Sequence, residues 1–249
     1  MRARVLWYAI VLTAFCPTAR AADVVVAVAA NFAPVLQKLA PDFEASGGDH
    51  LRIIPGSTGK LYAQIRQGAP FDVFLAADRR RPRRLEQDGL TVAGSRFTYA
   101  VGRLVLWGPA RAVRNGLKGL VSPDIHRIAI AEPEVAPYGH AAYEALRKAG
   151  IWKSLQSKVV RGENISQAFH FVASGNADVG LVALSEVLSY QAADGDASYY
   201  LIPTNDYTPL EQQAVLLSRS KSNAAATAFM AFMKAPRTRA TIKHYGYGL

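Results

Sequence analysis

Continuous apolar runs alternate along the chain with helical patterns, and the joints between them are short. Residues 23–30 (DVVVAVAA) form an unbroken β-branched stretch that predicts a buried strand. Asn31 stands where a helix begins, and Val35, Leu36, Leu39, Ala40 and Phe43 follow at helical spacing until Gly47-Gly48. Pro41 inside that pattern predicts a bend or a split. Leu51-Arg52-Ile53-Ile54 predicts a second strand, 56–59 a turn and the residues up to Gln67 a helix, and 71–76 (FDVFLA) a third strand. Residues 97–107 (FTYAVGRLVLW) read as one extended stretch around Gly102, long enough to leave one lobe and enter another. The pattern then returns. A strand at 128–131 precedes a helix over 140–148, and an extended segment at 158–161 precedes a helix opened by Gly162-Glu163-Asn164-Ile165. A strand at 178–183 (DVGLVA) precedes a helix from Ser185. After a polar loop around Gly195, 213–217 (QAVLL) predicts the strand that crosses back, and helices near 223–234 and 236–245 close the chain.

Strand–helix–strand units with short joints imply parallel sheets with crossover helices, an α/β fold in which ligands bind beyond the carboxyl ends of the strands. Four helix starts carry polar or Gly-rich turns there, near Asn31, Ser57, Tyr138 and Asn164, two in each half of the chain. The first N–H groups of a helix lack partners and carry the positive end of its dipole, so each such turn is a ready anion site. Pro55-Gly56-Ser57-Thr58-Gly59-Lys60 taken alone is explained better by an ordinary Ser/Thr cap than by a ligand site. The repetition favours a cleft between two α/β lobes, each presenting neutral donors to one small anion. The long stretch at 97–107 and the late strand divide the chain into residues 22–101 with 212–249 as one lobe and 102–211 as the other.

The chain has 249 residues, half of them apolar, enough for one large domain or two small lobes. Its start stands apart: a basic head with Arg2 and Arg4, an apolar run from Val5 to Phe15 and a small-x-small site at Ala19-Arg20-Ala21. That is the layout of a secretory leader, residues 1–21, cleaved after Ala21 or Ala22, and it places the protein in the periplasm. Phe15 before Cys16 argues against lipid attachment. Cleavage removes the single cysteine, and with it any disulfide, thiolate nucleophile or cysteine metal site. Loss of Arg2, Arg4 and Arg20 lowers the formal charge from +10 to about +7, which suits anionic solutes, a membrane surface or an acidic partner. Nucleic acid is not an expected target outside the cytoplasm.

The remaining chemistry is sparse. His50, His126, His140, His170 and His244 form no metal-ligand spacing. The P-loop pattern fails, because Ile54 replaces its first Gly and Leu61 its hydroxyl residue. Residues 78–84 (DRRRPRR) hold five arginines in seven positions, and a solvated helix face is expected of them, with a docking patch for an acidic surface as the other reading. Lys60 is expected to face solvent. Ser57-Thr58-Gly59-Lys60 fits the S-x-x-K of penicillin-recognising serine enzymes, and Ser174-Gly175-Asn176 a loose S-x-N, but no K-T-G follows.

The chain resembles the molybdate-binding proteins of ABC importers, members of the two-lobed periplasmic-binding-protein superfamily, over its whole mature length. Val28-Ala29-Ala30-Asn31-Phe32, Gly56-Ser57-Thr58-Gly59-Lys60-Leu61 and Gly68-Ala69-Pro70-Phe71-Asp72-Val73-Phe74 carry the likeness, with Pro137-Tyr138-Gly139, Gly162-Glu163-Asn164-Ile165 and Lys243-His244-Tyr245-Gly246-Tyr247. The resemblance implies two Rossmann-like lobes joined by a hinge, the type 2 periplasmic binding architecture. It implies a monomeric binding protein, not an enzyme, that needs no cofactor. Its ligand would be the molybdate or tungstate oxyanion, with molybdenum held through the anion's oxygens and no direct metal ligand. Another tetrahedral oxyanion, sulfate or phosphate, is the alternative. Asn31 and Ser57 would bind from the first lobe, by N–H and, for Ser57, by hydroxyl. Tyr138 and Ile165 would bind from the second, Ile165 through its N–H, with Ala30 lining the site. The implied partner is the membrane permease of the importer.

Overall fold

The computed structural model describes residues 23–47, 50–194 and 198–249. The expected leader with Cys16 and its cleavage point lies outside the described residues, as do Gly48 and the loop position Gly195.

Strand β1 (Val24–Ala29) is almost wholly buried, as its unbroken apolar run requires, and passes through a 3-10 turn at Ala30–Phe32 into helix α1 (Ala33–Gly47). Helix α1 continues through Pro41 without splitting. Leu36 and Leu39 before the proline and Phe43 after it pack into one core, which keeps both halves in line. Strand β2 (Leu51–Gly56), helix α2 (Thr58–Arg66), strand β3 (Val73–Ala76) and helix α3 (Arg80–Gln87) follow. The extended stretch after them breaks at Arg103 into β4 (Phe97–Gly102) and β5 (Leu104–Gly108).

Helix α4 (Ala110–Val113), β6 (Ile128–Ala131), α5 (Pro137–Lys148), α6 (Trp152–Leu155), β7 (Val159–Gly162), α7 (Ile165–Ala173), β8 (Val179–Ala183) and α8 (Leu184–Asp194) make up the middle of the chain. Helix α5 starts three residues before its expected position, because Pro137 supplies a preset φ at a position that needs no N–H. Strand β9 (Ser198–Leu201) is an addition to the expected elements: it is short and mostly exposed, and so leaves little apolar pattern. Strand β10 (Leu210–Leu216) and helices α9 (Ala224–Phe232) and α10 (Pro236–His244) complete the fold.

The strands form two five-stranded mixed sheets, ordered β2-β1-β3-β10-β4 and β7-β6-β8-β5-β9. In the first, β1 pairs in parallel with β2 and β3, and β10 runs antiparallel between β3 and β4. In the second, β6 pairs in parallel with β7 and β8, and β5 runs antiparallel between β8 and β9. The β4–β5 stretch therefore leaves one sheet and enters the other, and β10 brings the chain back. The first sheet is covered on one face by α1, α9 and α10, with Phe43, Phe229 and Ile242, and on the other by α2 and α3, with Leu61 and Leu85. The second carries its own core around Leu106, Ile130 and Leu181. Each sheet is thus one lobe with helices on both faces, and the carboxyl ends of β1, β2, β6 and β7 meet between them.

Candidate anion-binding site

A small cavity of about 10 Å³ lies where those four strands end. Ala30, Asn31, Ser57, Tyr138 and Ile165, all expected at the site, line it together, with Asn164 beside them. Two lobes contribute, as the layout of the four turns implies. No lining residue carries a formal charge at neutral pH.

Each turn is built by its local sequence. Ser57 caps α2 in extended conformation without using its hydroxyl for the cap. Asn164 caps α7 by accepting the N–H of Gln167 at 3.0 Å, while Gln167 Oε1 accepts the N–H of Glu163 at 2.5 Å, which pins the turn from both sides. Gly139 lies so close to β6 that a Cβ there would stand 2.2 Å from the carbonyl oxygen of Ala131. The first turn of α5 therefore rests directly on the end of its strand.

The main-chain N–H groups of Asn31, Ser57, Tyr138 and Ile165 find no protein acceptor among the described residues. The Ser57 hydroxyl is buried and likewise has no partner. Unpaired buried donors are costly unless a ligand or water satisfies them. Four N–H groups and one hydroxyl, at the positive ends of four helical turns and with no cationic side chain in the lining, form a chemistry that accepts an oxyanion.

Behind this surface lies a buried polar network that sequence reasoning missed. Asn31 turns its side-chain amide inward, donating from Nδ2 to Gln212 Oε1 at 3.0 Å and to the Tyr247 hydroxyl at 2.9 Å. Gln212 Oε1 also accepts from Tyr99, and its Nε2 donates to the Tyr138 hydroxyl at 3.2 Å. Ser185 donates to Tyr247 at 2.9 Å. The network joins both lobes through Gln212, which is fully buried on β10 next to a register shift between Gln212 and Gln213. Burial, reinforced by Tyr247 and then Glu186, pushes the Tyr138 phenol well above its ordinary value, so its proton stays available as a donor. The available signal was the polar run Glu211-Gln212-Gln213 between apolar residues of one strand.

The S-x-x-K pattern does not assemble a nucleophile. Lys60 Nζ pairs with Glu163 at 2.8 Å on the half-exposed rim, while the Ser57 hydroxyl has no hydrogen-bond partner. Lys60 thus faces outward as expected. The arginine run departs from expectation at one position: Arg83 and Arg84 are exposed, but Arg81 is buried and pairs with Asp78 at 2.5 Å. His140 pairs with Glu144 on the surface at 3.4 Å.

The sequence matches the family described as Bacterial extracellular solute-binding protein over residues 24–248. It is 45% identical over 232 residues to the molybdate-binding protein ModA of Azotobacter vinelandii, covering 93% of this chain and 92% of the relative. The solved Azotobacter vinelandii periplasmic molybdate-binding protein superposes with a TM-score of 0.86 at 40% identity, covering 91% of this chain and 99% of that one. The substrate binding domain of a putative molybdenum ABC transporter from Clostridium difficile superposes at 0.69, with 25% identity and coverage of 91% and 98%. The names of these relatives describe binding proteins, and that of the Clostridium difficile structure the substrate binding part of a transporter. With two α/β lobes around a cation-free cavity and a family match across nearly the whole described chain, the protein is a member of the bacterial extracellular solute-binding proteins.

Proposed function

We propose that this protein captures molybdate, and tungstate with it, in the cleft between its lobes and delivers the anion to the membrane permease of an ABC importer. The observation that carries the reading is the convergence of four unpaired helix-start N–H groups and the Ser57 hydroxyl on one small cavity without a cation. The 45% identity to a molybdate-binding protein supports the choice of anion. Asn31, Tyr138 and Ile165 donate N–H groups, Ser57 an N–H and its hydroxyl, and Ala30 closes the wall. Each lobe holds its own donors rigidly at helix starts, so closure of the lobes alone completes the set, and a desolvated site strengthens each charge-assisted bond.

The lobes move as two bodies, 22–101 with 212–249 and 102–211, about a hinge at the two crossings. The leader is removed after Ala21 or Ala22, and the mature chain works in the periplasm as a monomer. Calorimetric titration of the mature protein with molybdate, tungstate, sulfate and phosphate tests the reading. One molybdate or tungstate per chain, bound far more tightly than sulfate, is the expected result. Tightest binding of sulfate or phosphate would replace the anion, and no binding of any of the four would remove the proposal.

A further inference from the structure

The loop after β6 touches the opposite lobe through two main-chain carbonyls. Val135 O accepts the N–H of Gly59 at 2.8 Å, and Glu134 O accepts Arg81 Nη2 at 3.1 Å. Gly59 is the second residue of α2 and Arg81 the second of α3, so both donors sit at helix starts on the rim of the first lobe. Arg81 is anchored on its own lobe. Its main-chain N–H donates to Asp78 Oδ1 at 2.9 Å and its Nη1 to Asp78 Oδ2 at 2.5 Å, and the side chain is only 10% exposed. Gly59 has no room for a side chain. A Cβ there would stand 2.9 Å from Arg81 Nη2, from Val135 Cα and from Val135 O.

We infer that Gly59 and Arg81 form a clasp that holds the cleft shut, and that this clasp sets how long the bound anion stays. The inference rests on the anion-binding reading above and adds to it the residues that govern release. Arg81 is the one arginine of its run that leaves solvent, and what it reaches is the other lobe. Gly59 lies two residues from Ser57 on the same helix start, so one turn offers its hydroxyl and first N–H groups to the cavity and its next N–H to the opposing loop. A backbone carbonyl as acceptor fixes the distance between the lobes and not merely their charge, and a methyl group at residue 59 would prop them apart. Opening breaks both bonds together, while entry of an anion into an open cleft meets neither. The clasp therefore acts on dissociation and leaves association unchanged.

The test uses two readouts. In stopped-flow experiments with molybdate, Gly59→Ala and Arg81→Gln should release the anion about tenfold to a hundredfold faster, in keeping with the loss of a hydrogen bond to a charged group or of a close contact. Association should change less than about twofold, and Arg83→Ala, at an exposed position, should match the parent. The second readout needs no anion. Lys60→Cys with Glu163→Cys places a thiol pair across the rim of the mature chain, which lacks Cys16, and the rate of cross-linking by a short bis-maleimide reports closure. Gly59→Ala and Arg81→Gln in that background should slow cross-linking about tenfold, with and without molybdate. If both variants cross-link and release at the parent's rates, the clasp is refuted. If the parent binds no molybdate, the anion assignment fails while cross-linking still decides the clasp. Should Arg81→Gln not fold because Asp78 loses its partner, Gly59→Ala decides the matter alone.

Discussion

Ser57 offers two groups to the cavity, a main-chain N–H that any residue would keep and a buried hydroxyl that only Ser or Thr supplies. Ser57→Ala should therefore lose one hydrogen bond to a charged ligand, about 1.5–3 kcal/mol, and weaken molybdate affinity roughly tenfold to a hundredfold by calorimetry. Lys60→Ala should change it far less, because the Lys60–Glu163 pair is half exposed and such pairs contribute about 0–1 kcal/mol. Abolished binding in Lys60→Ala with normal binding in Ser57→Ala would reverse the mechanism in favour of a lysine-paired anion. A different residue governs pH. Glu186 is buried, its Oε2 has no partner and its Oε1 accepts the Ser166 hydroxyl. Burial raises its pKa from 4.5 to about 7, against the opposing effect of Ser166. Between those values the folded protein holds a proton that the unfolded chain has released, so stability falls as pH rises through the window and levels off above it. The total loss is about 3 kcal/mol by linkage. Urea denaturation from pH 4.5 to 8 should show this slope in the parent and not in Glu186→Gln.

At the scale of elements, the site depends on helix starts pressed against strand ends. Gly139→Ala would put a methyl group into the carbonyl of Ala131 and lift the first turn of α5 off β6. Overpacking of this kind costs about 1–3 kcal/mol, or about 2–4 °C of melting temperature per kcal/mol in a chain of this size. The same shift would move Tyr138, so molybdate affinity should fall with the melting temperature. An unchanged melting curve would mean that α5 has room the geometry denies. The four turns are legible in the sequence because their causes are local: an apolar run, a capping residue and a helical period within a few positions of one another. Asn31 can be placed at the site in this way, but not the inward turn of its side chain, since its partners Gln212 and Tyr247 lie 181 and 216 residues away. Asp72 shows the same limit. It belongs to a block that carries the family resemblance, yet it works away from the cavity, accepting the Val25 N–H at 2.7 Å and the Ser220 hydroxyl at 2.5 Å. The start of α5 is only half legible: the turn near Tyr138 can be placed, but the apolar helical period begins after it, and Pro137 with the packing of Gly139 on β6 extends the helix back over it. Strand β9 offers too few buried positions to register at all.

Across the whole molecule, contacts at the rim and in the depth of the cleft describe a closed form: Gly59 with Val135, Lys60 with Glu163, and Gln212 with Tyr138. A hinge between the sheets makes compaction on binding the expected response. Small-angle scattering of the mature protein should show a smaller radius of gyration after addition of molybdate, and no change would count against hinge closure while leaving binding intact. The equivalent strand orders of the two sheets have one further consequence. Each lobe gives one turn after the strand second from the edge of its sheet, at Asn31 or Tyr138, and one after its edge strand, at Ser57 or Ile165. The donors are therefore related by an approximate two-fold axis through the cavity. A tetrahedron possesses such an axis and divides its four vertices into two matching pairs, whereas a trigonal plane has three vertices and leaves one turn without an acceptor. Shape should then be read separately from charge. Of two monoanions, perchlorate should displace molybdate in competition calorimetry more effectively than nitrate, and the reverse order would mean that the symmetry of the fold is not imposed on its ligand.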